Sequence, residues 1–113
     1  MYTGMLIALD GSKSAEQVLP YARLLTSRFK VPVELLTALD IAELDVHIMV
    51  GQSQFLRVLV QDSMRNSEEY LKPIADTFEG ADVKCTIDKG RPAEVIIDKG
   101  EADGGMLLAM TTH

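Results

Sequence analysis

The sequence predicts an α/β fold in which an open parallel sheet carries helices on both faces. Its strand-like segments are mostly continuous apolar runs, which is typical of strands that are buried on both sides. Between them lie segments whose apolar residues recur every three or four positions, as on one face of a helix. The resulting order β-α-β-α-β-α-β favours a parallel sheet with right-handed crossovers.

Length and composition limit the protein to one domain of ordinary globular character. The chain has 113 residues, of which 47% are hydrophobic and 25% charged, and we expect a single domain over residues 1–113. Its net charge of −6 argues against binding to nucleic acid or to an anionic membrane surface. No signal peptide or bilayer-spanning run is visible. The single cysteine, Cys85, fits a reducing cytoplasm, and its strand-like surroundings predict a packed or half-buried thiol.

The first strand sets the position of the site. Residues 5–10 form a short apolar run that ends in Asp10, and Gly11 then allows a tight turn. Ser12 or Ser14 can cap the helix that follows, because a serine oxygen accepts free amide hydrogens of a first helical turn. In parallel sheets ligands lie beyond the carboxyl ends of the strands, which is where Asp10 falls.

The remaining elements follow from the same two patterns. Pro20 and Pro73 lie inside the first and second long helical patterns, so we expect a kink or a late helix start at Pro20. Residues 40–55 show no clear period and are interpreted as a mobile or partly helical connection. The predicted helices are 14–30, 55–78 (followed by Gly80) and 93–100, and the further strands are 33–39, 83–88 and 106–110.

Polar residues follow three of the predicted strands and could converge on one rim. These are Asp10, Asp40 and the segment Thr111-Thr112-His113. A carboxylate, hydroxyls and an imidazole at one edge could recognise a polar ligand such as a nucleotide. The alternative is that aspartate after a strand is turn chemistry, and that the terminal His113 has no role. His47, in the unpatterned connection, is interpreted as solvated.

Several enzymatic interpretations fail on spacing. The chain lacks a G-x-x-x-x-G-K-[ST] phosphate loop, a G-x-G-x-x-G motif after a strand and a G-x-S-x-G elbow. Two histidines and one cysteine cannot make a conventional zinc site. The run Leu9-Asp10-Gly11-Ser12 is close to the D-x-D-G-[TS] motif of aspartyl-phosphate hydrolases, but Ala8 stands where their nucleophile lies. No catalytic set is predicted.

Four segments of the chain belong together: Asp10-Gly11-Ser12, the run from Glu34 to Asp40, the run from Gly90 to Ile96, and the run from Met106 to His113. In these segments the chain resembles the universal stress protein family. The family has a Rossmann-like five-stranded parallel sheet, forms homodimers, includes ATP-binding and non-binding branches and has no settled enzymatic reaction. The resemblance implies that the fifth strand and the last helix are missing from the given chain.

The resemblance also implies a nucleotide site. Residues at the strand ends would border adenine and ribose, with the backbone of Ala38 facing adenine, and the end of the fourth strand would begin the nucleotide loop. Thr111 departs from the family pattern, since glycine is frequent there and a side chain now stands at a close backbone approach. The family's glycine-rich phosphate loop would lie just past His113. The implied nucleotide-binding residues are Ala8, Leu9, Asp10, Ala38, Met110, Thr111 and His113.

These features predict a cytoplasmic stress-response protein that binds ATP, ADP or AMP as a sensor or regulator without significant turnover. Mg²⁺ would accompany the nucleotide if phosphates are bound, and a homodimer is expected. The alternative is a dimeric interaction module from the branch that binds no nucleotide. A weak ATPase is a third interpretation, made less favourable by the lack of a base and metal ligands in the sequence.

Overall fold

A computed structural model of the protein describes residues 4–39, 53–102 and 106–109. The four strands form one parallel sheet in the order β3-β2-β1-β4. The predicted fold class is therefore confirmed. The elements in chain order are β1 (Gly4–Ala8), α1 (Lys13–Glu16), α2 (Leu19–Phe29), β2 (Val33–Leu39), α3 (Ser53–Asp76), β3 (Val83–Lys89), α4 (Pro92–Ala102) and β4 (Met106–Ala109).

Side-chain alternation along β1 and β2 divides the core into two layers. Met5, Ile7 and Leu9 face α1, α2 and α3, where Leu19 and Leu71 are buried against them. Leu6 faces the other way and packs with Leu36 and Val95, so α4 covers the second face. Because both faces of β1 are buried, its sequence is a continuous apolar run rather than an alternating one.

Pro20 divides the first helical segment in two. Ser12 caps the short helix α1, in which its side-chain oxygen accepts a hydrogen bond from the amide of Ala15. The chain then passes through Gln17 and Val18, and α2 begins at Leu19 with Pro20 in its first turn, where a missing amide donor costs nothing. The expected late helix start is confirmed, and Ser12 rather than Ser14 is the cap.

Most predicted elements agree with the structure within two residues. β2 has the predicted bounds, β1 ends at Ala8 instead of residue 10, and α3 runs through Pro73 as expected. α4 begins at Pro92 and ends two residues later than predicted. Residues 40–52 of the unpatterned connection, including Asp40 and His47, lie outside the described residues, and residues 53–55 form the first turn of α3. In the part of the chain that is described, no helix combines the length and apolar character needed to cross a bilayer.

The expected burial of Cys85 is wrong. Cys85 is exposed on β3, which pairs only with β2 among the described strands. Val83 and Ile87, on either side of Cys85 along β3, pack partly against the core, whereas the Cys85 side chain itself remains exposed. Partial desolvation, followed by the negative charge of Asp76, raises the pKa of the Cys85 thiol. A thiol that keeps its proton is a poor nucleophile.

Candidate functional site at the carboxyl edge of the sheet

The strand order creates a switch point beside β1. From β1 the chain proceeds outward to β2 and then β3, and it afterwards returns to place β4 on the opposite side of β1. Ligands of open α/β sheets bind outside the carboxyl ends of the strands at such a point, because the connections leave the edge in opposite directions there. Ile7 lies opposite Ala109 in this pair of strands, so β1 and β4 run toward the same edge.

A rigid turn presents Asp10 at this edge. Gly11 adopts a left-handed φ of +87°, which residues with a side chain rarely tolerate. The turn brings Ser12 back onto the carboxylate, where Ser12 donates to Asp10 Oδ1 from both its backbone amide (2.9 Å) and its hydroxyl (2.6 Å). The same hydroxyl accepts from Ala15 N at 3.1 Å. The exposed Asp10 side chain is thus fixed in orientation by the start of α1.

Hydrogen bonds from β2 hold the end of β1 in place. The amide of Leu9 donates to the carbonyl of Leu36 at 2.9 Å, one residue past the end of the strand. The hydroxyl of Thr37, which is buried, donates to the carbonyl of Leu9 at 3.1 Å. Ala8 lies opposite Leu36, so Ala38 lies at the level of Asp10 on the neighbouring strand. Two short side chains, Ala8 and Ala38, therefore flank the Asp10 turn.

Tyr70 of α3 lies near the turn formed by Asp10 and Gly11. Its hydroxyl is buried and has no hydrogen-bond partner of acceptable geometry among the described residues. Burial raises the pKa of Tyr70 to about 12, with the nearby Glu16 and Asp10 carboxylates acting in the same direction and the backbone of Gly11 acting against them. The hydroxyl therefore remains protonated at neutral pH and is a hydrogen-bond donor facing two carboxylates.

The structure brings four of the seven predicted site residues to one edge. Ala8, Leu9, Asp10 and Ala38 meet there, through the pairing of β1 with β2 and the turn that follows β1. Leu9 points its side chain into the core, so only its backbone faces the edge. The three others, Met110, Thr111 and His113, lie outside the described residues and stay predictions.

Sequence reasoning missed two residues of the site. Thr37 carries a hydroxyl within the apolar run that extends from Leu35 to Leu39, and that contrast could have marked it as a residue with a buried partner. Tyr70 fits the helical spacing of apolar residues in α3, which accounts for its ring, since the ring packs against the core. No local signal connects Tyr70 with Gly11, because Tyr70 lies 59 positions after Gly11 in the chain.

The opposite edge of the sheet also has an open cavity, of about 620 Å³, near the amino ends of β2 and β3. Its lining mixes the cations Arg23 and Lys30 with the anions Glu79 and Asp82. Arg23 already donates to the hydroxyl of Thr77 at 3.2 Å. The mixed charges indicate no ligand class, and the switch point lies at the other edge. Among the residues described, no group of three or more metal-ligating side chains is placed to hold a metal ion.

The parallel sheet in the order β3-β2-β1-β4, covered by helices on both faces, defines the protein as an α/β domain of the doubly wound type. The sequence matches the universal stress protein family over residues 1–113, and the chain belongs to that family. No curated protein sequence matches it significantly.

Solved structures agree with this assignment. The chain is similar to hypothetical protein MJ0577, at 25% identity and a TM-score of 0.86 over 100% of this chain and 76% of that one. It is also similar in fold to the universal stress protein UspA from Lactobacillus plantarum (17% identity, TM-score 0.82, covering 96% and 75%). A universal stress protein from Archaeoglobus fulgidus gives 18% identity and a TM-score of 0.65, covering 96% and 76%.

Proposed function

We propose that the protein binds an adenine nucleotide (ATP, ADP or AMP) and acts as a sensor or regulator without significant turnover. One observation carries the proposal: the exposed Asp10 carboxylate is fixed by two hydrogen bonds from Ser12 at the switch point of the sheet. A carboxylate held in this way accepts hydrogen bonds from the vicinal hydroxyls of a ribose without losing side-chain entropy on binding. Membership of a family that includes an ATP-binding branch supports the same ligand.

The residues at the edge fit such a ligand. Short side chains at Ala8 and Ala38 leave the strand ends accessible, so an adenine ring can approach the backbone of Ala38 while the ribose reaches Asp10. We assign the phosphate end to Met110, Thr111 and His113 and to any glycine-rich loop that follows them. Mg²⁺ would enter with the phosphates, where it would neutralise their charge.

Binding would act by shifting populations rather than by chemistry. A ligand changes a conformational equilibrium only through its different affinity for the two states. A nucleotide that contacts β1, β2 and β4 together favours the arrangement in which all three strand ends are in position. We infer that this arrangement alters contacts with a second copy of the chain or with a protein partner in the cytoplasm. The alternative function is a dimeric interaction module that uses such contacts without any nucleotide.

The test is titration calorimetry of the intact protein with ATP, ADP and AMP, comparing wild type with Asp10→Asn. Asparagine keeps an acceptor for Ser12 but removes the charge that strengthens a hydrogen bond to a ribose hydroxyl. We expect the affinity of Asp10→Asn to fall about tenfold or more, since hydrogen bonds to charged groups contribute about 1.5–3 kcal/mol.

A matched control separates this effect from a change in net charge. Asp62 is also exposed, on α3, and pairs with Arg65 at 3.2 Å. Asp62→Asn should leave the affinity unchanged. Wild-type protein without measurable affinity for any of the three nucleotides would support the interaction module instead. Steady phosphate release that disappears in Asp10→Asn would support the weak ATPase.

A further inference from the structure

The hydroxyl of Tyr70 is buried, and no described group meets it with the full geometry of a hydrogen bond. The Glu16 carboxylate and the Gly11 backbone nevertheless lie within interaction range of its oxygen. A buried hydroxyl without a partner costs about 1–3 kcal/mol relative to one that is paired. Its ring needs no such explanation, because it packs against the buried cluster that includes Leu9 and Leu71. The hydroxyl is the part of the residue that lacks a structural role.

The groups that face this hydroxyl all belong to the start of the candidate site. The Glu16 carboxylate and the backbone of Gly11 lie near enough to act on it, and the charge of Asp10 reaches it as well. A tyrosine hydroxyl can accept from one amide and donate to one carboxylate at the same time. Gly11 and Glu16 offer that pair of partners. A small movement of the turn toward α3 would complete both hydrogen bonds.

We propose that Tyr70 is a positioning residue whose hydroxyl closes onto Gly11 and Glu16 when a nucleotide occupies the carboxyl edge. The two hydrogen bonds would tie the Asp10 turn to α3, the long helix packed beneath it. Tyr70 itself does not touch the ligand; it acts through the position of Asp10. This inference rests on the proposed nucleotide binding and adds a residue that lies outside the seven predicted from the sequence.

The experiment compares the intact wild-type protein with Tyr70→Phe and with the control Tyr21→Phe. Tyr21 is 70% exposed on α2. Calorimetry with ATP should show an affinity about threefold to tenfold lower for Tyr70→Phe, the range expected for one or two net hydrogen bonds. Tyr21→Phe should bind like wild type. The melting temperature of ligand-free Tyr70→Phe should stay level or rise, since the variant removes an unpaired buried hydroxyl.

Two further readouts distinguish positioning from a general structural role. The chain has three tyrosines, so NMR spectra of protein with ¹³C-labelled tyrosine rings contain few signals. The signals that disappear in Tyr70→Phe and in Tyr21→Phe identify these two residues. ATP should move the signals of Tyr70 and leave those of Tyr21 in place. Glu16→Ala removes the proposed acceptor, so its loss of affinity should not add to that of Tyr70→Phe in the double variant.

The outcomes are separable. If wild type binds ATP and Tyr70→Phe binds it equally well, the positioning role is wrong and the proposed function stands. If the losses of ATP affinity are additive in the double variant, the positioning role is also wrong. It is wrong as well if Tyr70→Phe lowers the melting temperature and ATP does not shift the Tyr70 signals of the wild type. If wild type does not bind ATP, ADP or AMP, the proposed function and this inference both fail.

Discussion

At the scale of single residues, the site depends on the double use of one hydroxyl. Ser12 Oγ accepts from the amide of Ala15, which satisfies a free donor of the first turn of α1, and it donates to Asp10. The helix cap and the hydrogen bond that orients Asp10 therefore belong to one hydrogen-bond network. Such networks are cooperative, since each bond polarises the next. Removing Ser12 should weaken both the helix start and the orientation of Asp10.

We expect Ser12→Ala to lower the free energy of unfolding by about 1 kcal/mol, the usual cost of losing a serine cap. The measurement is urea denaturation followed by circular dichroism, with Ser14→Ala as the control. Ser14 lies two residues further on inside α1, and its side chain does not form the cap. Equal stability of the two variants would show that the bond between Ser12 and Ala15 does not stabilise the fold.

Part of this site could be predicted from sequence because its signals are local. Asp10, Gly11 and Ser12 are neighbours, and each residue type has a reason to follow a buried strand. Thr37 and Tyr70 reach the site through tertiary contacts, with Leu9 and with the turn respectively, and no short spacing announces such contacts. The helical spacing that includes Tyr70 occurs in many buried helices, so this spacing alone does not indicate a contact with the turn at Gly11.

At the scale of elements, Lys99 of α4 forms ion pairs with carboxylates of two strands, in addition to the apolar contact that Val95 makes with the sheet. Lys99 Nζ lies 3.4 Å from Glu34 Oε2 on β2 and 3.7 Å from Asp88 Oδ2 on β3. The Glu34 side chain is only 12% exposed, while the Lys99 side chain is 30% exposed. Thr86 lies two residues before Asp88 on β3, on the same face of the sheet as Glu34 of β2. Its buried hydroxyl has no hydrogen-bond partner among the described residues. Lys99 thus links α4 to two strands at once.

We expect Lys99→Met to destabilise the fold by about 1–3 kcal/mol, since a buried carboxylate then loses its cation while the apolar stem is retained. The comparison is Arg65→Met, which breaks an ion pair whose side chains are 67% and 53% exposed. Exposed pairs contribute about 0–1 kcal/mol, so this variant should be nearly neutral. Urea denaturation measures both, and equal losses would mean that the buried position of Glu34 confers no special dependence on Lys99.

Helices and strands were predictable where the apolar pattern and the residues that bound it indicate the same element. Val33–Leu39 has the expected bounds because Pro32 precedes it and most of its residues are apolar. Cys85 was misplaced because alternation in β3 reports which face a side chain takes but not whether another element covers that face. Burial at an edge strand depends on the neighbours that the fold supplies, and these are not encoded in the strand itself.

At the scale of the whole molecule, α3 is longer than the sheet it covers. Its 24 residues span about 36 Å at 1.5 Å per residue, whereas the 7 residues of β2 span about 23 Å. Leu71 is fully buried near the carboxyl-terminal end of the helix, and Phe78 is buried just beyond it. No residue between 57 and 69 is buried. The fully buried contacts of α3 therefore lie toward its carboxyl-terminal end, while residues 57–69 are half-buried or exposed.

This division predicts unequal protection from hydrogen exchange along one continuous helix. Local opening requires less free energy where few apolar contacts must be broken, so amides over residues 57–69 should exchange at least about tenfold faster than those over 70–76. Mass spectrometry of overlapping peptides measures the two segments in one experiment. The segment 19–29, α2, serves as an internal reference, because it has buried side chains along its length. Uniform protection from residue 57 to 76 would contradict this division and would mean that α3 opens only as one cooperative unit.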